Sequence, residues 1–152
     1  RLQLYRWLVF NYLLGNGDNH LKNISFLISH EGIQLAPAYD LLCTAVYDTR
    51  SFSESPVWPK TQLALSLGQA TQFEHVNRAV MLQAGADLGL SKGTATRELD
   101  KMLKTLPEHA NRLIAAIESS YPAQATNYQA GELRLLRAIR HVIVQDTLQR
   151  LQ

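Results

Sequence analysis

A polar loop set between an apolar run and two β-favouring runs constrains this chain more than any other feature. Leu2 to Leu14 is largely apolar and stops at Gly15, a typical C-terminal stop signal for a helix. The run predicts a mostly buried helix, with Leu4, Trp7, Leu8, Phe10 and Tyr12 backing the polar loop. That loop reads Gly15-Asn16-Gly17-Asp18-Asn19-His20-Leu21-Lys22-Asn23. Next, Ile24-Ser25-Phe26-Leu27-Ile28 and Ile33-Gln34-Leu35-Ala36-Pro37 flank the turn-like Ser29-His30-Glu31-Gly32. Two such runs around a short Gly-containing turn read as an antiparallel hairpin. Pairing Ile28 with Ile33 sets Asn23 opposite Ala38 and leaves Asp40 just past the same open end. The hairpin therefore gathers Asn23 and Asp40, and Asp18 enters from the preceding loop.

These residue types suit phosphoryl transfer. That chemistry needs a carboxylate to orient or deprotonate the attacking hydroxyl, and oxygen ligands for metal ions on the β- and γ-phosphates. Asp18, Asn23 and Asp40 can supply them, and Mg2+ takes hard oxygens, one or two from protein and the rest from phosphate and water. His20 could reach a γ-phosphate or orient Asp18, and Lys22 could neutralise phosphate as a point cation. Each also has a plainer reading. Asp18 suits a turn, Asn23 a strand end, Asp40 a cap before Leu41-Leu42, His20 a structural histidine and Lys22 a solvated lysine.

The loop resembles the C-terminal region of the HipA-like kinases, which carry Asp-x-His-x-Lys-Asn followed by a Tyr-Asp metal element. Here these are Asp18-Asn19-His20-Leu21-Lys22-Asn23 and Tyr39-Asp40. Lys60-Thr61-Gln62-Leu63-Ala64-Leu65-Ser66-Leu67 is similar to the family's next segment, so the resemblance covers about residues 4 to 68. Phosphatidylinositol-3-kinase-like loops share the Gly-x-Gly-Asp-x-His order. The resemblance implies an ATP- and Mg2+-dependent serine/threonine protein kinase, commonly the toxin of a bacterial toxin and antitoxin pair in the cytoplasm. Asp18 would be the catalytic base, with His20 and Lys22 as phosphate-side support. Asn23 and Asp40 would be the metal ligands. Implied partners are a protein substrate and a helix-turn-helix antitoxin, with DNA reached only through that antitoxin.

At 152 residues the chain suits one domain, 1–152, with a real core. A complete kinase also needs a lobe with a phosphate-covering loop and a strand lysine. Only 17 residues precede Asp18, and Gly15-Asn16-Gly17 is too short and misplaced to cover nucleotide. The expectation is a fragment or subunit lacking its N-terminal nucleotide-binding lobe, which binds ATP weakly and is inactive or nearly so alone.

Composition sets outer bounds. Hydrophobic residues are 46% and charged residues 18%, which disfavours disorder, and a net charge of +2 does not argue nucleic-acid binding by itself. The single cysteine, Cys43, rules out an internal disulfide and reads as a buried thiol. Leu2 to Leu14 is too short to span a bilayer and is broken by Gln3, Arg6 and Asn11, so no membrane is expected. Val46 to Gln62, rich in Ser and Pro, reads as an irregular loop, with Tyr47 and Trp58 as anchors or partner contacts. From Thr71 onward the pattern is helical. A first helix holds Phe73, Val76, Val80 and Ala84 and ends near Gly85 and Gly89. A second is capped by Ser91 and holds Ala95, Leu99, Met102, Leu103 and Leu106. A third starts at Pro107, packing Leu113, Ile114 and Ile117 inward. Tyr121-Pro122-Ala123 is a joint, and a last helix runs from about Tyr128 to Leu151. His75, His109 and His141 lack zinc-ligand spacing. The expected fold is mainly α with one small β-hairpin near residues 24–36. A rival reading takes Leu88-Gly89-Leu90-Ser91 as the turn of a DNA-binding helix-turn-helix with Lys92, Arg97, Lys101 and Lys104, although Glu98 and Asp100 interrupt that surface. The alternative to a kinase is thus a non-catalytic interaction module within an antitoxin/DNA complex.

Overall fold

The structure is a computed structural model that describes residues 1–122 and 126–152. It is mainly helical, with two small antiparallel hairpins. Helix α1 (Leu2–Leu14) lies at the centre: Tyr5, Trp7, Leu8, Val9, Tyr12 and Leu13 are all buried, so it lacks the polar stripe of a surface helix. Strands β1 (Phe26–Ser29) and β2 (Gly32–Leu35) pair in the expected register, Ile28 opposite Ile33. The Ser25 carbonyl accepts from the Ala36 amide at 2.9 Å, which carries the pairing toward Asn23 and Ala38.

A second hairpin, β3 (Gln62–Leu67) with β4 (Ala70–Gln72), was not foreseen. It takes Thr71 and Gln72 out of the expected helix, and Phe73 and Val76 also fall outside it, in and just after a 3₁₀ turn (Phe73–His75) before the helix that begins at Arg78. Gln62-Leu63-Ala64-Leu65-Ser66-Leu67 alternates exposed and more buried positions, the period of a half-buried strand. Val46–Gln62 is irregular apart from the end of a short 3₁₀ turn (Thr44–Asp48). In this stretch Trp58 packs on Phe73 and Tyr47 stays exposed.

Helix α2 (Arg78–Asp87) is capped by the Asn77 side chain on the Val80 amide and ends at Gly89, whose φ is 77°. Gly85 does not end it. It sits inside the helix, where an added Cβ would fall 2.8 Å from Ala95, so it lets the next helix approach.

Helix α3 (Lys92–Ser120) is capped by Ser91 as expected, but it is one helix of 29 residues rather than two. Pro107 lies in its interior. Proline's φ suits a helix, and its cost is one lost amide bond and crowding of the carbonyl four residues back. Apolar positions leading up to it, Met102, Leu103 and Leu106 among them, pack on the core. Tertiary burial thus outweighs the local stop signal. Leu113, expected inside, is exposed. Of the joint expected at Tyr121-Pro122-Ala123, Ala123 lies outside the described residues, and α3 does end just before it, at Ser120. Glu98 is tied to Arg6 of α1 at 2.7 Å and Asp100 to Arg78 of α2 at 2.5 Å, so acids fasten α3 to both helices and interrupt the basic surface.

The last helical stretch is α4 (Asn127–Ala138), a π-helical turn (Ile139–Val144) and α5 (Gln145–Leu151). It buttresses the end of α1. The Thr147 hydroxyl donates to the Leu13 carbonyl at 3.0 Å, one of the carbonyls a helix end leaves unpaired. Ile143, with Ala45, Val46 and Ala138, forms a small buried cluster beneath the polar loop. No helix among the described residues is long and apolar enough to cross a membrane.

Candidate active site

Helix α1 stops because Gly15 turns left-handed, φ 73°, and its amide returns to Tyr12 at 3.0 Å. The loop beyond Gly15 is pinned from three sides. The Gly17 amide donates to the Thr44 hydroxyl at 2.7 Å, and the Gly17 carbonyl accepts from the Ala64 amide at 3.1 Å, so β3 underpins it. The third support is a pair of buried asparagines. Asn11 Nδ2 donates to the Trp7 carbonyl at 2.9 Å, and Asn11 Oδ1 accepts from Asn16 Nδ2 at 2.8 Å.

Asn16 then reaches both acidic residues through their main chains. Its Oδ1 accepts from the Asp18 amide at 3.2 Å, and its Nδ2 donates to the Asp40 carbonyl at 3.1 Å. Asn23, buried, donates through Nδ2 to the Asp18 carbonyl at 3.2 Å. Its amide nitrogen is thereby committed, and Oδ1 is the atom left to coordinate. At the hairpin's open end the Tyr39 hydroxyl donates to the Lys22 carbonyl at 2.8 Å and lies 2.9 Å from Ser25 Oγ. These bonds bring Asp18, Asn23 and Asp40 into one hydrogen-bonded unit.

Asp40 is the only non-glycine among the described residues with positive φ, 55°. A left-handed aspartate costs backbone energy and persists only where its surroundings hold it. Here the Asn16 side chain donates to the Asp40 carbonyl. Both carboxylates are exposed, and none of the ion pairs among the described residues uses Asp18, Lys22 or Asp40. His20 is half-buried, and its Nδ1 is enclosed without a hydrogen-bond partner, as is Asn19 Oδ1.

No three His, Cys, Asp or Glu side chains converge among the described residues. The oxygens on offer are two carboxylates and one amide, hard donors of the kind Mg2+ accepts while keeping phosphate and water in its shell. A soft-metal centre has no basis here. The donor set fits a magnesium–phosphate group, and Lys22, next to Asn23 in sequence, is exposed and makes no ion pair among the described residues.

Cys43, close to this site, is a poor nucleophile. Burial pushes its thiol up to about 12, against a smaller opposing effect of a backbone hydrogen bond from Val46. A thiol raised in the fold but ordinary when unfolded costs stability only above the unfolded value near 8.5, increasingly so as pH rises toward 12. Alkylation at pH 8 is expected to be slow in the folded chain and fast once urea unfolds it; equal rates would show the thiol to be open.

The sequence singles out Asp18, His20, Lys22, Asn23 and Asp40 as candidates, and the structure adds Asn11, Asn16, Thr44 and the Tyr39 hydroxyl as the groups that hydrogen-bond this loop and hairpin. Asn11 registered only as a break in an apolar run. Its position four residues after Trp7, inside an apolar run, is the available signal of a paired polar group.

Comparison with known proteins agrees with the geometry. The family model described as HipA-like C-terminal domain matches residues 1–112. A putative kinase, Y4mE, of Sinorhizobium fredii is 26% identical over 141 residues, covering 90% of this chain and 31% of that protein. The serine/threonine-protein kinase toxin HipA of Shewanella oneidensis is 29% identical over 106 residues, 69% of this chain and 22% of that protein. A solved complex of HipA, HipB and operator DNA from Shewanella oneidensis MR-1 shares the fold: its matched chain superposes with a TM-score of 0.64 at 21% identity, over 97% of this chain and 33% of that one. The chain thus spans about a third or less of the proteins it matches. With the Asp18 loop, the hairpin and Asp40 all inside the matched region, the chain belongs to the HipA-like C-terminal domain family.

Proposed function

We propose that this chain is the catalytic lobe of an ATP-dependent serine/threonine protein kinase. One observation carries the reading: Asp40, with its left-handed backbone, is hydrogen-bonded through its carbonyl to the same asparagine that accepts from the Asp18 amide. Strain is retained where it aims a group, and here it aims a carboxylate beside the loop that presents Asp18.

In this reading Asp18, exposed and without an ion-pair partner among the described residues, accepts the proton of the acceptor hydroxyl. Asn23 Oδ1 and the Asp40 carboxylate hold Mg2+, which supplies charge neutralisation on the phosphate oxygens when bound. Lys22 offers a point charge to the phosphates, and His20 supports the same side. Asn23 is doubly useful because its donor bond to Asp18 fixes the spacing between base and ligand.

A nucleotide-holding lobe, on the same protein or a second chain, completes the site. The hairpin supports this. Phe26, Leu27, Ile28 and Ile33 are all more than half exposed, and a groove of about 680 Å3 runs between α1 and β2 past Trp7, Phe10, Leu35 and Met102. A two-stranded hairpin left so apolar on its surface is suited to burial against another body. By analogy with the HipA and HipB complex, the whole protein is proposed to act in the cytoplasm as a toxin restrained by a helix-turn-helix antitoxin that makes the DNA contacts.

Titration with Mg-ATP in the presence of a candidate N-terminal lobe tests the site. Asp40→Ala is expected to weaken nucleotide binding at least tenfold while leaving the thermal midpoint within a few degrees. Absence of binding by both proteins would favour the non-catalytic interaction module. Equal binding by both would remove Asp40 from the metal site.

A further inference from the structure

We infer that Asn16 is a positioning residue that sets the backbone of Asp40 and couples it to the Asp18 loop; the inference rests on the reading of Asp18 as base and Asp40 as metal ligand. The orientation of its amide follows from the hydrogen bonds. The Trp7 carbonyl can only accept, so Asn11 must turn Nδ2 toward it and present Oδ1 to Asn16. Asn16 must therefore offer Nδ2 to Asn11, and its second Nδ2 hydrogen reaches the Asp40 carbonyl. Oδ1 is left for the Asp18 amide. The Asn16 main-chain amide is itself tied to the Asn11 carbonyl at 2.9 Å.

Every polar atom of the Asn16 side chain is thus used, at 2% exposure, and the two residues it joins lie 22 positions apart in sequence. Asp18 is reached at its N–H and Asp40 at its C=O, so neither carboxylate is consumed. That pattern differs from a structural asparagine plugging one helix end, because the two segments joined are the two that carry the acidic groups. Displacing the Asn16 donor frees the Asp40 carbonyl and removes the hydrogen bond that holds its left-handed backbone. The carboxylate would then swing with φ.

Asn16→Asp and Asn16→Ser separate this role from simple packing. Asn16→Asp keeps an oxygen for the Asp18 amide but has no donor for Asp40; Asn16→Ser lacks the charge, has one hydroxyl that ends a bond short of the Asn16 amide and so cannot serve Asn11, Asp18 and Asp40 together, and is the second variant should a buried carboxylate disturb folding. Backbone NMR of the chain reads the Asp40 φ through its amide–Hα coupling and Cα shift, and Mn2+ titration reads the metal site. Both variants are expected to lose the left-handed signature at Asp40 while core signals such as those of Leu99 and Phe73 stay in place. Mn2+ affinity is expected to fall roughly three- to tenfold, the scale of one lost hydrogen bond, and less than in Asp40→Ala. Retention of the Asp40 signature in both variants would overturn the inference whatever the metal does. Loss of the signature, in a chain whose Mn2+ affinity is unmoved by Asp40→Ala, would support the positioning role and remove the metal assignment instead.

Discussion

Asp18→Asn, in a protein that carries this domain together with its nucleotide-holding lobe, is expected to lower kcat for phosphoryl transfer by about 10²–10⁴ and to leave the KM for ATP within threefold. The magnitude is that of a lost general base. The split between kcat and KM comes from the geometry. Asp18 is fastened to its surroundings through its main chain, by its amide to Asn16 and its carbonyl to Asn23. The carboxylate is exposed and makes no ion pair among the described residues. An isosteric amide therefore changes the proton acceptor and little else, and removes an interaction made only in the transition state. Steady-state kinetics on a peptide or protein acceptor measures both constants. A rate within threefold of wild type would exclude Asp18 as the base.

Gly15→Ala is expected to destabilise the fold by roughly 2–5 kcal/mol. The left-handed backbone at φ 73° costs a non-glycine residue about 1–2 kcal/mol. Steric crowding adds about 1–3 kcal/mol, since an ideal Cβ would lie 2.4 Å from Ile143 Cγ2 and 3.2 Å from Ala45 Cβ. Neither neighbour can withdraw freely: both belong to the buried cluster beneath the loop. Because Gly15 accepts from the Ala45 amide through its carbonyl at 3.0 Å, the damage should reach the segment after Asp40 as well. Urea unfolding measures the loss. A change below 1 kcal/mol would show that the π-helical turn carrying Ile143 yields to the added methyl.

Much of the site was legible because its signals are local. The end of α1 at Gly15, the cap at Ser91 and the β1–β2 register each depend on residues within a few positions, and each came out as read. The register mattered most. Once Ile28 faces Ile33, Asn23 and Asp40 both fall at the hairpin's open end, where hydrogen bonds from Asn16, Asn23 and Tyr39 link them. Pro107 failed as a stop signal because packing of α3 on the core outweighs one lost hydrogen bond. The β3–β4 hairpin did carry the period of a strand in Gln62–Leu67, but the helical pattern beyond it was extended back to Thr71. Asn16 was hidden for a different reason. Its bond to Asp40 spans 24 positions, and no property of Gly-Asn-Gly reveals which distant carbonyl its amide will meet. Thr44 and the Tyr39 hydroxyl share that difficulty, since turn-like and β-favouring residues acquire their partners only after the hairpin folds back.

The hairpin has a second use that its sequence did not reveal. Its residues read as a device for bringing ligands together, and in the fold its apolar side chains also remain uncovered. Under the proposed function, the same short strands that carry Asn23 and Asp40 at their open end would seat the body that holds the nucleotide.

Paramagnetic broadening by Mn-ATP, followed residue by residue in the amide NMR spectrum, tests the central claim most directly, and it tolerates weak binding by the isolated chain. The signals of Asp18, Asn23 and Asp40 are expected to broaden first, those of Lys22 and His20 close behind, while amides of the exposed Leu113 turn of α3 persist. Broadening centred away from the hairpin's open end, with Asn23 and Asp40 unaffected, would contradict that claim.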